Sequence, residues 1–292
     1  MKMNYKFISL LLILFFVSLS LVSAANDDNQ TLQMNDNSEI QGIEIDADKL
    51  SADTGTFTEL QNTIWRSKDG DTITLDKDYS YNSDFSRTDL QVPRSSLTID
   101  GQGHTLDGKG ASRIFYVTDS ASNLIVKNIN FVNGKKDTAG AIFSQGSNTQ
   151  VINCTFSNNV ATTGNVGGAI LLKNGGSIKD STFNGNTATK SGGAIRLEGD
   201  NYVVSGCTFN NNKATSALGG AISALGNKNT ITGNTFTSNT AGRDGGAVDV
   251  EGDIKNDEGI PGYNNVITNN KFTGNTAVYG GAISANWGEL TI

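Results

Sequence analysis

Residues 183–197 read Phe183-Asn184-Gly185-Asn186-Thr187-Ala188-Thr189-Lys190-Ser191-Gly192-Gly193-Ala194-Ile195-Arg196-Leu197. Close copies run through the second half of the chain. Their Phe positions are Phe131, Phe156, Phe183, Phe209, Phe236 and Phe272, spaced by 25, 27, 26, 27 and 36 residues. A fixed period of this size means stacked structural units, each burying its apolar face on the next.

Aligning the copies on Phe gives columns of like residues. Five positions before it stand Val126, Val151, Ile178, Val204, Ile231 and Ile267. Three positions after it stand Gly134 and then Asn159, Asn186, Asn212, Asn239 and Asn275. A Gly column follows at Gly168, Gly193, Gly220, Gly246 and Gly281, and then Ile142, Ile170, Ile195, Ile222, Val248 and Ile283. Short β-branched runs closed by Gly, Asn or Asp read as strands and turns. Alternation along the last strand predicts that the Ile column faces the core and that Arg196, Ser223 and Asp249 point outward. The period is too short for a propeller blade, which needs about 40 residues. It fits a parallel β-helix, each repeat making one coil of two or three strands. Stacked Asn amides are expected to bond along the axis. About eight coils at about 4.8 Å each predict a rod ~40 Å long.

Cys154 and Cys207 share one column, with Ser181 between them. Two coils separate them by ~10 Å, beyond the roughly 7 Å that a disulfide spans. Two free, buried thiols are expected.

The rest of the chain divides by composition. Lys2 and Lys6 precede an apolar run from Phe7 to Val22, followed by small residues, so 1–25 reads as a signal peptide. Residues 26–54 are acidic and without apolar period, a lead-in expected to be disordered. The β-helix domain is read as 55–292: a capping helix over 55–69, irregular coils over 70–125 and regular repeats over 126–292. Thr56 to Glu59 has capping-box spacing, and Phe57, Leu60 and Ile64 share one helical face beside Trp65. Removing Lys2 and Lys6 takes the net charge from -7 to -9. This balance, without a basic cluster, excludes nucleic acid as the expected partner, and no membrane insertion is expected after signal cleavage. The 34 Gly and 34 Asn supply turns, and only 2 Pro exclude a collagen-like or Pro-rich stalk.

Phe-x-x-Asn followed by Gly-Gly-Ala-Ile resembles the repeats of chlamydial polymorphic membrane proteins. The layout from Thr56 onward, including Leu97-Thr98-Ile99-Asp100-Gly101-Gln102-Gly103-His104-Thr105-Leu106-Asp107-Gly108, is similar to adhesin-like surface proteins of methanogenic archaea. The resemblance implies an all-β, right-handed parallel β-helix of the pectate-lyase-like kind. It also implies secretion or cell-surface display, and adhesion to a glycan or protein of a host or neighbouring cell. It carries no catalytic residues across. Ending at Glu289-Leu290-Thr291-Ile292, inside an expected strand, the chain reads as a fragment of a longer protein.

Three functions fit these features. The leading one is a non-enzymatic adhesin; a passive stalk and a polysaccharide lyase or glycosidase are the alternatives. No cofactor is expected. One acidic region bears on the third reading. The longest repeat carries an insertion over 252–264, surrounded by Asp244, Asp249, Glu251, Asp253, Asp257 and Glu258. Glu198 and Asp200 occupy the same columns as Glu251 and Asp253, two coils earlier. The plain reading is a solvated acidic edge with Arg196 and Arg243 as surface charges. The others are a Ca²⁺ ion on Asp249, Glu251 and Asp253, or a hydrolytic or eliminating site. His104 is the only His and reads as a turn residue. Asn29 and Asn153 begin glycosylation sequons, the second beside an inward column. Trp287 reads as core for a further coil.

Overall fold

The computed structural model describes residues 54–164, 166–251, 264–286 and 290–292. The expected signal peptide, the acidic lead-in up to residue 53, the insertion with Asp253, Asp257 and Glu258, and Trp287 lie outside the described residues. One helix, α1 (Phe57–Arg66), precedes the coils. Thr56 and Glu59 close the expected capping box, with Thr56 N donating to Glu59 Oε2 and Glu59 N donating to Thr56 Oγ1. Phe57, Leu60 and Ile64 are buried, while Trp65 is exposed.

From Thr72 onward the chain winds as a right-handed parallel β-helix of about eight turns. The coils beginning at Asn130 and Thr155 have three strands, within the expected two or three, because Ile142–Ile152 and Ile170–Lys179 each run on as one strand; the three coils after them divide that strand and have four. In one coil these are Tyr202–Ser205, Thr208–Asn210, Lys213–Ala214 and Ile222–Leu225. They pair in parallel with their counterparts on adjacent coils, in three sheets of 15, 9 and 5 strands. The two-residue strand after the Asn was too short to read as a strand of its own.

Two corners of each coil hold a residue in left-handed backbone. The first holds Asn128, Asn153, Asp180, Gly206, Gly233 and Asn269, and the second Asn133, Asn158, Gly185, Asn211, Ser238 and Gly274. Asn, Asp and Gly adopt that backbone most readily, which explains much of the composition.

The core is a set of axial stacks. The Phe rings from Phe131 to Phe272 lie nearly parallel, with centroids 4.7 to 5.0 Å apart. All but Phe272 are fully buried. Cys154 and Cys207 are buried free thiols, as expected, and burial pushes both up to about 12.

The Asn column runs through a buried turn and satisfies itself. Asn212 Nδ2 donates to Phe183 O at 3.0 Å and to Asn239 Oδ1 at 2.9 Å. Its Oδ1 accepts from the backbone N and the Nδ2 of Asn186. Asn186 and Asn239 make the same set, and Asn159 differs only in that its Oδ1 accepts from Gly134 N alone. Four polar groups per coil are thereby buried without an orphan.

The Gly pair serves two purposes. A Cβ on the second Gly, Gly193, would overlap the Gly220 carbonyl one coil on, so this column sets how closely the coils stack. The first, Gly192, has φ +63, and a Cβ there would strike the Ile195 carbonyl. The turn therefore folds back onto the strand that follows it.

Helix α1 covers the first coils. Gln61 Oε1 accepts from Gln91 N at 2.7 Å and its Nε2 donates to Gln91 O at 3.0 Å. The buried amide takes the place of a neighbouring strand on the edge strand Leu90–Val92.

Candidate functional site

The folded-back turn changes the reading of the outward column. Tyr116, Phe143, Leu171, Arg196, Ser223, Asp249 and Ser284 stack in register along it. They point away from the Phe core, as alternation requires. Yet Leu171, Arg196, Ser223 and Asp249 are buried, at 2, 3, 0 and 0 % exposure. Leu171 joins Ala139, Ala161, Val166 and Ala188 in a second, smaller apolar cluster, with Phe143 against it. A Cβ on Gly245 would lie 3.0 Å from Asp249 Cβ, so the turn itself forms the lid. Neither the solvated edge at Asp249 nor the surface charge at Arg196 holds. Arg243 does remain at the surface, its side chain 57 % exposed and paired with Asp244 at 2.6 Å.

Within the column the apolar end gives way to a charged one. Arg196 Nη1 donates to Ser223 Oγ at 2.5 Å and reaches Glu251 Oε2 at 3.4 Å; its Nε lies 3.8 Å from Glu198 Oε1. The register places Leu225 between Glu198 and Glu251, as the repeat alignment predicts. What the alignment missed is that the Arg196 guanidinium, not a metal ion or the carboxylates' own reach, brings them together. Asp200 instead caps its neighbour, accepting from Asn227 N at 2.7 Å.

Asp249 has no such partner. Neither carboxyl oxygen has a hydrogen-bond partner of good geometry. Desolvation first, and then the Glu251 charge, push its carboxyl up to about 7; the Ser284 hydroxyl and Arg196 favour the charged form. Asp244 adds a further negative charge beside it. The alternation pattern located this residue but gave no sign of its burial, because the cover comes from a turn and not from a strand.

Among the described residues, no group of three or more His, Cys, Asp or Glu side chains is placed to hold a metal ion. Of the Ca²⁺ candidates, Asp249 is enclosed, Glu251 is engaged by Arg196, and Asp253 lies outside the described residues. His104 Nδ1 lies 3.2 Å from Asp78 Oδ1 near a turn. Asn153 sits exposed at a coil corner, its amide donating to Asn128 Oδ1 at 2.8 Å. Among the described residues, no helix is long and apolar enough to cross a membrane.

The right-handed beta helix region family matches residues 97–253 and 142–292. Those segments cover more than half of the chain, and the protein belongs to this family. No curated protein and no solved structure matches it. Family membership fixes the fold; the function has to be argued from the surfaces.

Proposed function

We propose that this protein is a non-enzymatic, adhesin-like rod that acts outside the cell and binds a glycan or protein on a host or neighbouring cell. The observation that carries this reading is the division of polar groups. Inside, the Asn ladder and the Arg196 pairs are spent on each other. Outside, the coils repeat uncharged Thr, Ser and Asn side chains in register. Such a surface offers many weak contacts in a row, which add when a partner spans several coils. Beads coated with the full chain are expected to adhere to cells and to be competed by soluble chain. Equal adhesion of beads coated with an unrelated protein of similar charge would overturn the proposal in favour of a passive stalk.

One observation favours a second reading, a polysaccharide lyase or glycosidase. Asp249 is a carboxyl held near neutrality beside Glu251 and Arg196, the set of groups that acid–base cleavage uses. Its enclosure beneath the Gly245 turn weighs against it, since a general acid must reach its substrate. Polysaccharide cleavage abolished by both Asp249→Asn and Glu251→Gln would establish this reading; cleavage unchanged in both would remove it.

A further inference from the structure

The 9-stranded sheet carries the Phe stack on its inner face. Its outer face carries two columns that flank each Phe. Thr155, Thr182, Thr208 and Thr235 form one, paired directly in register. Ser157, Asn184, Asn210 and Thr237 form the other. All eight are half-buried.

Three properties set this face apart. It is uncharged over four coils, in a chain with 22 Lys and Arg and 29 Asp and Glu. The column meets a charge only on the next coil, where Lys271 pairs with Thr235; along the chain the nearest charges are Asp180, before Thr182, and Lys213, after Asn210. Its hydroxyls are also free: among the described residues, none of the four threonine hydroxyls is taken up by a hydrogen bond. The companion column is internally bonded at one step, Asn210 Nδ2 to Asn184 Oδ1 at 3.1 Å. Finally, the face is rigid and periodic. Behind it the Phe rings repeat at 4.8 Å with planes 4 to 7° apart. Four donor-acceptor groups are thus held in a line at one fixed step, and no ordering of the strand remains to be done on binding.

We infer that this face binds an uncharged, extended polysaccharide lying along the solenoid axis, with successive rings meeting successive coils. The inference rests on the adhesin reading and adds the face and the ligand class. A sugar chain presents hydroxyls that both donate and accept, as Thr, Ser and Asn do. One ring of an extended chain is close in length to the ~4.8 Å strand spacing, so over four coils neighbouring rings stay near neighbouring coils. An anionic polymer would find one cation, Lys271, at the end of the column and none along the four coils, and its binding would weaken with salt.

The test is co-sedimentation of the full chain with insoluble cellulose and chitin, beside soluble alginate as the anionic comparison, at low and high salt. Binding to at least one neutral polymer is expected, unchanged by salt, with a tenfold or greater loss in Thr182→Val/Thr208→Val. Val keeps the β-branched shape and removes only the hydroxyl. Ser157→Ala/Asn184→Ala gives a second variant should the first fail to fold. Ser205→Ala/Thr232→Val, on a neighbouring strand, is expected to bind as the wild type does. Equal binding by folded variants of both columns, or binding to alginate alone with loss in salt, overturns the inference. Beads that adhere to cells while the chain ignores both neutral polymers would overturn it and leave the adhesin reading standing. Silence in both assays would sink both.

Discussion

Arg196 and Glu251 are 55 residues apart in sequence, yet their side chains meet at 3.4 Å across the coil that holds Ser223. This pair ties three consecutive coils together on the side away from the Phe stack. It also leaves both carboxyl oxygens of Asp249, in the same column, without a hydrogen bond of good geometry.

Asp249 therefore gives stability a pH dependence. Its folded pKa of about 7 stands above the ordinary 3.8, so the folded chain holds this proton more tightly than the unfolded chain does. The stability it permits is complete below about pH 4, falls as pH rises, and levels off above about pH 7, a change on the order of 4 kcal/mol. Urea denaturation from pH 4 to pH 8 is expected to show a downward slope in the wild type that Asp249→Asn flattens. Parallel curves for the two proteins would show that Asp249 ionises normally.

The Asn ladder predicts a large penalty for a small change. Asn212→Ala removes two donors and an acceptor that serves two groups of Asn186, and it orphans the buried Asn186 backbone N, while Asn239 Oδ1 keeps only the bond from the residue 212 backbone N. A loss of about 3 kcal/mol or more is expected in chemical denaturation, since each orphaned buried group costs about 1–3 kcal/mol. Asn184→Ala, on the outer face, should cost under about 1 kcal/mol.

Phe209 is fully buried and stacks on both Phe183 and Phe236. Its replacement by Ala should cost ~3–5 kcal/mol. A measured loss below about 1 kcal/mol would contradict its place in the stack.

The two thiols should be inert in the folded chain. Cys154 and Cys207 are buried and their thiolates strongly disfavoured. A thiol reagent at neutral pH is expected to label neither until denaturant is added, and then both. Labelling of either in the native chain would mean that its coil opens locally.

Most of the fold could be read from column chemistry. A strictly parallel stack sets each residue on its counterpart, so Phe183 on Phe209 or Asn186 on Asn212 follows from the period alone. Capping of the first coils by α1 was likewise visible in Thr56 and Glu59. What escaped were effects with no strand period. The burial of Arg196 and Asp249 comes from a Gly turn folding over them, and alternation distinguishes only the two faces of a strand. The left-handed corners at Asn153 and Asn211 were hidden among many other Asn residues. Gln61, a polar residue within the helix, gave no sign that it would pair with the backbone of Gln91.

In the proposed function the chain binds a surface partner without cleaving it. Its most direct test is the full chain on a broad glycan array, with and without Ca²⁺, while any bound polysaccharide is followed for cleavage. Saturable binding is expected, unaffected by Ca²⁺ and without cleavage. Cleavage lost in Asp249→Asn would contradict it and make the covered column an active site.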